Sequence, residues 1–168
     1  LLGVLVLFSL SFFDHNKLLY LSLFFFLIFF ISLILVPFIG VEVKGSKRWI
    51  ELIGPLPRFQ PIEFLKPFFI ILVSFLLSFN REKNLYLNYL LSTLVLIPVV
   101  LLLISQPDIG QTLLIIMTWL ALIFISGVNL IIFFSFFLFF GLAVSYMVIY
   151  VDKFNYIKNR LISFLDSS

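Results

Sequence analysis

No cysteine occurs in the 168 residues, and there is only one histidine, His15. The first absence removes disulfides, thiol nucleophiles and cysteine-based metal sites. The second leaves no group of imidazoles to hold a metal ion. Charge is scarce too: 11% of the residues are Asp, Glu, Lys or Arg, against about a quarter in a soluble domain. That deficit argues against an aqueous globular fold. Nucleic-acid binding asks for a basic stripe on a soluble face, and no stretch supplies one.

What fills the chain instead is apolar sequence, 63% hydrophobic with a mean hydropathy of +1.26. Six apolar segments can be marked: Leu1–Phe13, Leu18–Ile39, Ile62–Phe79, Leu85–Ser105, Ile109–Ser126 and Leu130–Val151. Five of them approach or exceed the roughly 20 residues that cross a bilayer as a helix. Their continuity argues against the alternating pattern of an outer-membrane barrel. In lipid every backbone polar group must be satisfied within its own segment, so each segment is expected to be a helix. The expected fold is therefore an all-α integral membrane bundle of about six spans over residues 1–151, followed by an amphipathic segment over 152–168. The chain starts at Leu1 inside an apolar run, without methionine, and reads as a fragment cut at both ends.

Short turns (Asp14–Lys17, Asn80–Asn84, Gln106–Asp108 and Gly127–Asn129) separate most segments and force antiparallel neighbours. Counting crossings then puts the Gly40–Pro61 loop, the Gln106–Asp108 turn and the tail from Asp152 on one side of the membrane. That side carries eight Lys/Arg against three on the other. Taken alone, the positive-inside rule would place it in the cytoplasm. Basic residues retained for a substrate escape that rule, so charge alone leaves the sidedness open.

One long polar interval interrupts the apolar sequence. Gly40–Pro67 holds five of the eleven basic residues, three of the eight acids and four of the seven prolines. Lys44, Lys47 and Arg48 suit either an anionic-lipid anchor or a phosphate grip, for which arginine offers a planar bidentate fork. Trp49 suits the interfacial aromatic belt. Gln60-Pro61-Ile62-Glu63 and Gln106-Pro107-Asp108 each put proline at an expected first helical position, where its missing N–H costs nothing. Each also puts an acid within the first turn, where the helix dipole favours it. Plain helix starts account for both motifs; two acids entering the membrane from one face would be the functional reading. Lys66 can pair with Glu63 three residues back. It either snorkels to the interface or lines a polar cavity, and Pro67 beside it favours the cavity. In the tail, Phe154, Ile157, Leu161 and Phe164 recur at helical spacing. That pattern fits a helix lying on the membrane surface or the entrance to a larger loop.

Four of these stretches together resemble a known family. Gly45-Ser46-Lys47-Arg48-Trp49-Ile50, then Gln60-Pro61-Ile62-Glu63-Phe64-Leu65-Lys66, then Gln106-Pro107-Asp108-Ile109-Gly110-Gln111-Thr112, then Arg160-Leu161-Ile162-Ser163-Phe164-Leu165-Asp166 are similar, in order and spacing, to motifs of the SEDS family. This is the FtsW/RodA/SpoVE group of bacterial cell-wall proteins. The departures are Ile62 where Ser or Ala is usual, an extra Gln111, and Ser167 in place of proline.

The resemblance implies helices two to seven of a ten-helix protein of the bacterial cytoplasmic membrane, with the loop-rich face, including loop 40–61, outside the cytoplasm. It implies peptidoglycan glycosyl transfer: lipid II polymerised with undecaprenyl diphosphate as leaving group, closer to the FtsW division branch at the septum than to RodA of elongation. A lipid II flippase is the competing role. The implied partners are lipid II, a class B penicillin-binding transpeptidase, other division-complex membrane proteins and membrane lipid, with no nucleic acid. No cofactor or protein metal site is expected, a divalent cation at the diphosphate being the one candidate. The family's catalytic aspartate is expected in a loop after the seventh helix, past this sequence, so no catalytic residue is assigned. Lys47, Arg48, Glu63, Lys66 and Asp108 are the candidate substrate-binding residues.

Overall fold

A computed structural model describes residues 14–43, 46–51, 58–79, 85–151, 159, 162 and 163. The expected Leu1–Phe13 span, the Asn80–Asn84 turn, Lys44 with Gly45, and most of the Asp152–Ser168 tail lie outside the described residues. Five helices and one small sheet are present among them: α1 (His15–Ile39), β1 (Val41–Val43), β2 (Ser46–Trp49), α2 (Pro61–Ser78), α3 (Leu85–Ser105), α4 (Ile109–Ile125) and α5 (Leu130–Tyr150). These are the second to sixth of the six expected segments, with ends moved by at most three residues. The largest shift is at α1, which takes in His15, Asn16 and Lys17 from the expected turn and leaves Asp14 alone in front of it.

Four helices (α1 from Asn16, α2, α3 and α5) are long and apolar enough to cross a membrane. The fifth, α4, has 17 residues and spans about 26 Å at 1.5 Å per residue, close to the roughly 30 Å hydrocarbon core. The protein is a multi-pass helical membrane protein. Five serine and threonine hydroxyls within the spans are satisfied locally, as lipid favours: Ser22, Ser32, Thr93, Thr118 and Ser135 each donate to the carbonyl four residues earlier.

The chain divides into two compact units, Leu1–Val95 and Leu96–Ser168. In the first, α1 packs along α2. Ile62, Leu65, Phe69, Leu72, Val73 and Leu77 recur on one face of α2 at three- and four-residue spacing, and all are buried. Their spacing makes one continuous stripe. Leu33 and Val36 are buried on α1. Phe25 and Phe29 of α1 stack on Phe68 of α2, with ring centroids 5.2 and 5.7 Å apart. In the second unit, α4 and α5 form a helical hairpin. Gly127 turns the corner with φ 81°, a left-handed conformation open to glycine at no steric cost. Asn129 then caps α5 by accepting from the Ile131 N–H at 2.9 Å. Trp119 of α4 is fully buried, with the rings of Phe136 and Phe140 set edge-on at 5.2 and 5.7 Å.

Candidate functional site

The polar interval after α1 is not an irregular loop. Val41–Val43 and Ser46–Trp49 pair antiparallel, with Val41 opposite Trp49, Glu42 opposite Lys47 and Val43 opposite Ser46, and a bulge between Val41 and Glu42. This hairpin was not expected from composition, although the alternation Val41-Glu42-Val43 is the period-2 signal of a strand. Glu42 and Lys47 stand directly opposite each other in the register, a placement that is favourable for opposite charges. The returning chain closes a second rung: the Ile50 and Phe59 N–H groups each donate to the other's carbonyl at 2.8 and 2.9 Å. Arg58 Nε donates to Glu51 Oε1 at 3.0 Å across the same closure. Both side chains are about half exposed, so that pair contributes about 1 kcal/mol at most.

The hairpin sits close against the end of α1. Gly40 donates its N–H to the Val36 carbonyl at 2.8 Å. A Cβ built on Gly40 would lie 2.3 Å from the Val36 oxygen and 3.2 Å from the Trp49 carbonyl oxygen of β2. Only a residue without a side chain fits there. At the other end of the loop the Phe59 ring stands 4.9 Å from Phe64 of α2 and 5.9 Å from Phe29 of α1, by ring centroids.

The candidate residues fall on these elements as follows. Lys47 and Arg48 are consecutive on β2, with Lys47 exposed and Arg48 partly buried. Glu63 and Lys66 are joined, with Oε2 2.7 Å from Nζ. Pro61 opens α2 and Glu63 lies in its first turn, as the motif implied. The Lys66 side chain is 19% exposed and that of Glu63 45%, so the ammonium sits mostly inside protein while its partner reaches solvent. Pro67 has no N–H to give to the carbonyl of Glu63. These four residues belong to one unit, on the connection between α1 and α2 and on the first two turns of α2. The arrangement pairs the Lys66 ammonium with the Glu63 carboxylate near the start of an apolar helix and carries Lys47 and Arg48 on the connection leading into it.

Asp108 lies in the second unit, and its setting differs from expectation. Pro107 is in the turn, not at the first helical position, and Asp108 is the N-cap of α4, not a residue of its first turn. The reason is capping chemistry: a short carboxylate just ahead of the helix can accept from its open N–H groups, as Asp108 Oδ1 does from the Gln111 N–H at 3.4 Å. The backbone around it is tightly tied. Asp108 N–H donates to the Leu103 carbonyl at 3.0 Å, and the Thr112 hydroxyl donates to the Asp108 carbonyl at 2.7 Å. Gln106, Asp108 and Thr112 are all buried. Gln106 and Thr112 belong to the motif quoted from the sequence but are not among its candidate residues, although their polarity beside an apolar span is a signal. Among the described residues no group of three or more His, Asp or Glu side chains is arranged to hold a metal ion.

The family model for FtsW, RodA and SpoVE, described as cell cycle protein, matches residues 1–168. The chain belongs to the FtsW/RodA/SpoVE family. Among its relatives, a probable peptidoglycan glycosyltransferase FtsW from Nitrosococcus halophilus is 36% identical over 135 residues, 80% of this chain and 34% of that protein. The one from Caulobacter vibrioides is 36% identical over 96 residues, 57% of this chain and 24% of that protein. Two solved structures are similar. The rod shape determining protein RodA of Thermus thermophilus has a TM-score of 0.65 and 30% identity, covering 82% of this chain and 46% of that one. A chain from a study of polymerization and crosslinking by a peptidoglycan synthase complex has a TM-score of 0.71 and 28% identity, covering 99% of this chain and 48% of that one. The chain thus spans a quarter to a third of those curated relatives and about half of those two solved chains.

Proposed function

We propose that the whole protein is a peptidoglycan glycosyltransferase that polymerises lipid II in the bacterial cytoplasmic membrane, and that these helices supply part of its substrate site. One observation carries the reading. In a chain of this family, whose relatives bear that activity in their names, Lys47 and Arg48 lie on the strand between α1 and α2 and Lys66 on the second turn of α2, all in one unit. In the proposed reaction a sugar hydroxyl attacks the anomeric carbon of the lipid-linked sugar, and the bond from that carbon to the diphosphate oxygen breaks. Negative charge builds on the departing diphosphate, and fixed cations lower the barrier where that charge develops. Arg48 and Lys47 are assigned to the diphosphate, and Lys66, oriented by Glu63, to the same lipid headgroup. Asp108, rooted in its capping turn in the other unit, is proposed as a substrate-binding residue on its own account. A divalent cation accompanying the diphosphate remains part of the proposal; the general base lies outside these residues.

The curated relatives named FtsW, at 34–36% identity, favour the division branch and a septal location over the elongation role of RodA. The solved relative from a peptidoglycan synthase complex supports a partner that crosslinks the new glycan, a class B penicillin-binding transpeptidase. In this reading loop 40–61 faces outward, and substrate retention explains its basic residues against the positive-inside rule.

The test is glycan polymerisation from labelled lipid II by the full-length protein with its transpeptidase, compared with Arg48→Ala. Polymer from the parent and its loss in the variant is the expected result. Equal polymer from both would return the basic hairpin to an anchoring role. No polymer from either, together with lipid II translocation in liposomes, would replace the enzyme with a flippase.

A further inference from the structure

We infer that Phe59, an uncharged residue, is the positioning residue of the basic hairpin: its ring fixes where Lys47 and Arg48 stand relative to α1 and α2. The inference rests on the glycosyltransferase reading for its ligand but on geometry for its mechanism.

The hairpin strands have three and four residues, and a two-stranded ribbon of that size is marginal in water by itself. It is tethered at two points. At its start, the fit of Gly40 under the Trp49 carbonyl brings β2 against the end of α1. At its end, Phe59 belongs to both structures at once. Its backbone exchanges two hydrogen bonds with Ile50, one residue past β2. Its ring meets Phe29 of α1 and Phe64 of α2. Phe29 in turn contacts Phe64 at 5.6 Å, so the three rings close a triangle between two helices and the loop. Phe64 stands between Glu63 and Lys66 in sequence, so the same triangle adjoins the turn that carries the ion pair. Arg58, the residue before Phe59, is held to Glu51, which keeps the returning strand in register. A ring that leaves this triangle frees the closing rung, and with it the strand bearing Lys47 and Arg48. Rigid, preformed placement of cations is what a diphosphate site requires, because ordering a loose loop on binding subtracts from affinity.

The experiment uses the full-length protein in phosphatidylcholine vesicles, with undecaprenyl diphosphate as the probe and phosphatidylglycerol at matched charge as the control lipid. Amide hydrogen exchange is followed over residues 46–50 and over α1 and α2. Phe59→Ala is expected to speed exchange in 46–50 and to weaken undecaprenyl diphosphate binding, each on the order of tenfold, the worth of two aromatic pairs. Exchange in α1 and α2 should stay unchanged, and Phe59→Tyr should restore both readings. Hairpin exchange unmoved by Phe59→Ala would overturn the inference. So would a loosened hairpin that binds the diphosphate as tightly as before, since the ring would then support structure without positioning charge. If the unaltered protein prefers undecaprenyl diphosphate no more than phosphatidylglycerol while the exchange response holds, the glycosyltransferase assignment of the hairpin fails and the hold of Phe59 on it stands.

Discussion

Gly40 follows the last residue of α1 and Gly141 lies within α5, and a methyl group added to each meets opposite surroundings. At Gly40 it would strike the Val36 carbonyl at 2.3 Å, while at Gly141 nothing lies within 4 Å. Gly40→Ala is expected to destabilise by about 1–3 kcal/mol, the range for forced overpacking. Gly141→Ala should be neutral or stabilise by up to about 1 kcal/mol, because alanine restricts a helix less unfavourably than glycine. Thermal unfolding of both variants in one detergent checks the pair, and equal shifts would contradict it. The Glu63–Lys66 pair calls for a different separation of effects. With Glu63 nearly half exposed, solvent screening limits the pair to about 1 kcal/mol. Lys66→Met should therefore change stability little, yet lower lipid II polymerisation by the full-length protein on the order of a hundredfold if its ammonium meets developing charge. A polymerisation loss no larger than the stability loss would remove Lys66 from the site.

Among the elements, the α4–α5 hairpin depends on its seam and its caps more than on amphipathic pattern. No residue of α5 is buried by the described protein, and its ring contacts to α4 are Phe136 and Phe140 around Trp119 and Phe133 against Phe124. Between membrane helices packing, not water exclusion, drives association, so loss of that indole removes contacts that lipid replaces poorly. Trp119→Ala is expected to cost about 3–5 kcal/mol and Trp119→Phe distinctly less, read as the unfolding midpoint in detergent. The start of α4 has a smaller device in Asp108: Asp108→Ala should cost about 1 kcal/mol through the lost cap, with Asp108→Asn milder. If Asp108→Asn abolished polymerisation while leaving the midpoint unchanged, the carboxylate would have a role beyond capping.

At the scale of the whole molecule, sidedness decides whether the basic hairpin can meet a substrate outside the cell. The chain has no cysteine, so an exposed position on β2 can be made its sole thiol. Lys47→Cys should react with a membrane-impermeant maleimide added to the outer face of the membrane. Labelling only from the cytoplasmic face would invert the topology and agree with the charge count instead.

The sequence by itself determined the spans. Hydropathy is a sum over neighbours in the chain, and a helix in lipid satisfies its backbone from residues four apart, so five of six segments could be placed within three residues. The Glu63–Lys66 pair was legible for the same reason, since three residues on a helix is a fixed distance. The motifs resembling the SEDS family led to the family that the whole chain matches. What only the tertiary structure decided involves residues far apart in sequence or competing local chemistries. The β1–β2 hairpin, masked by the polar composition of the interval, emerged from cross-strand pairing. Asp108 became a cap because the N–H groups opening α4 compete for its carboxylate. Gly40 and Phe59 drew no notice in a reading that weighs charge and motif. Their importance lies in what approaches them, the Trp49 carbonyl nine residues on and the Phe29 ring thirty residues back, and such approaches exist only once the helices have packed.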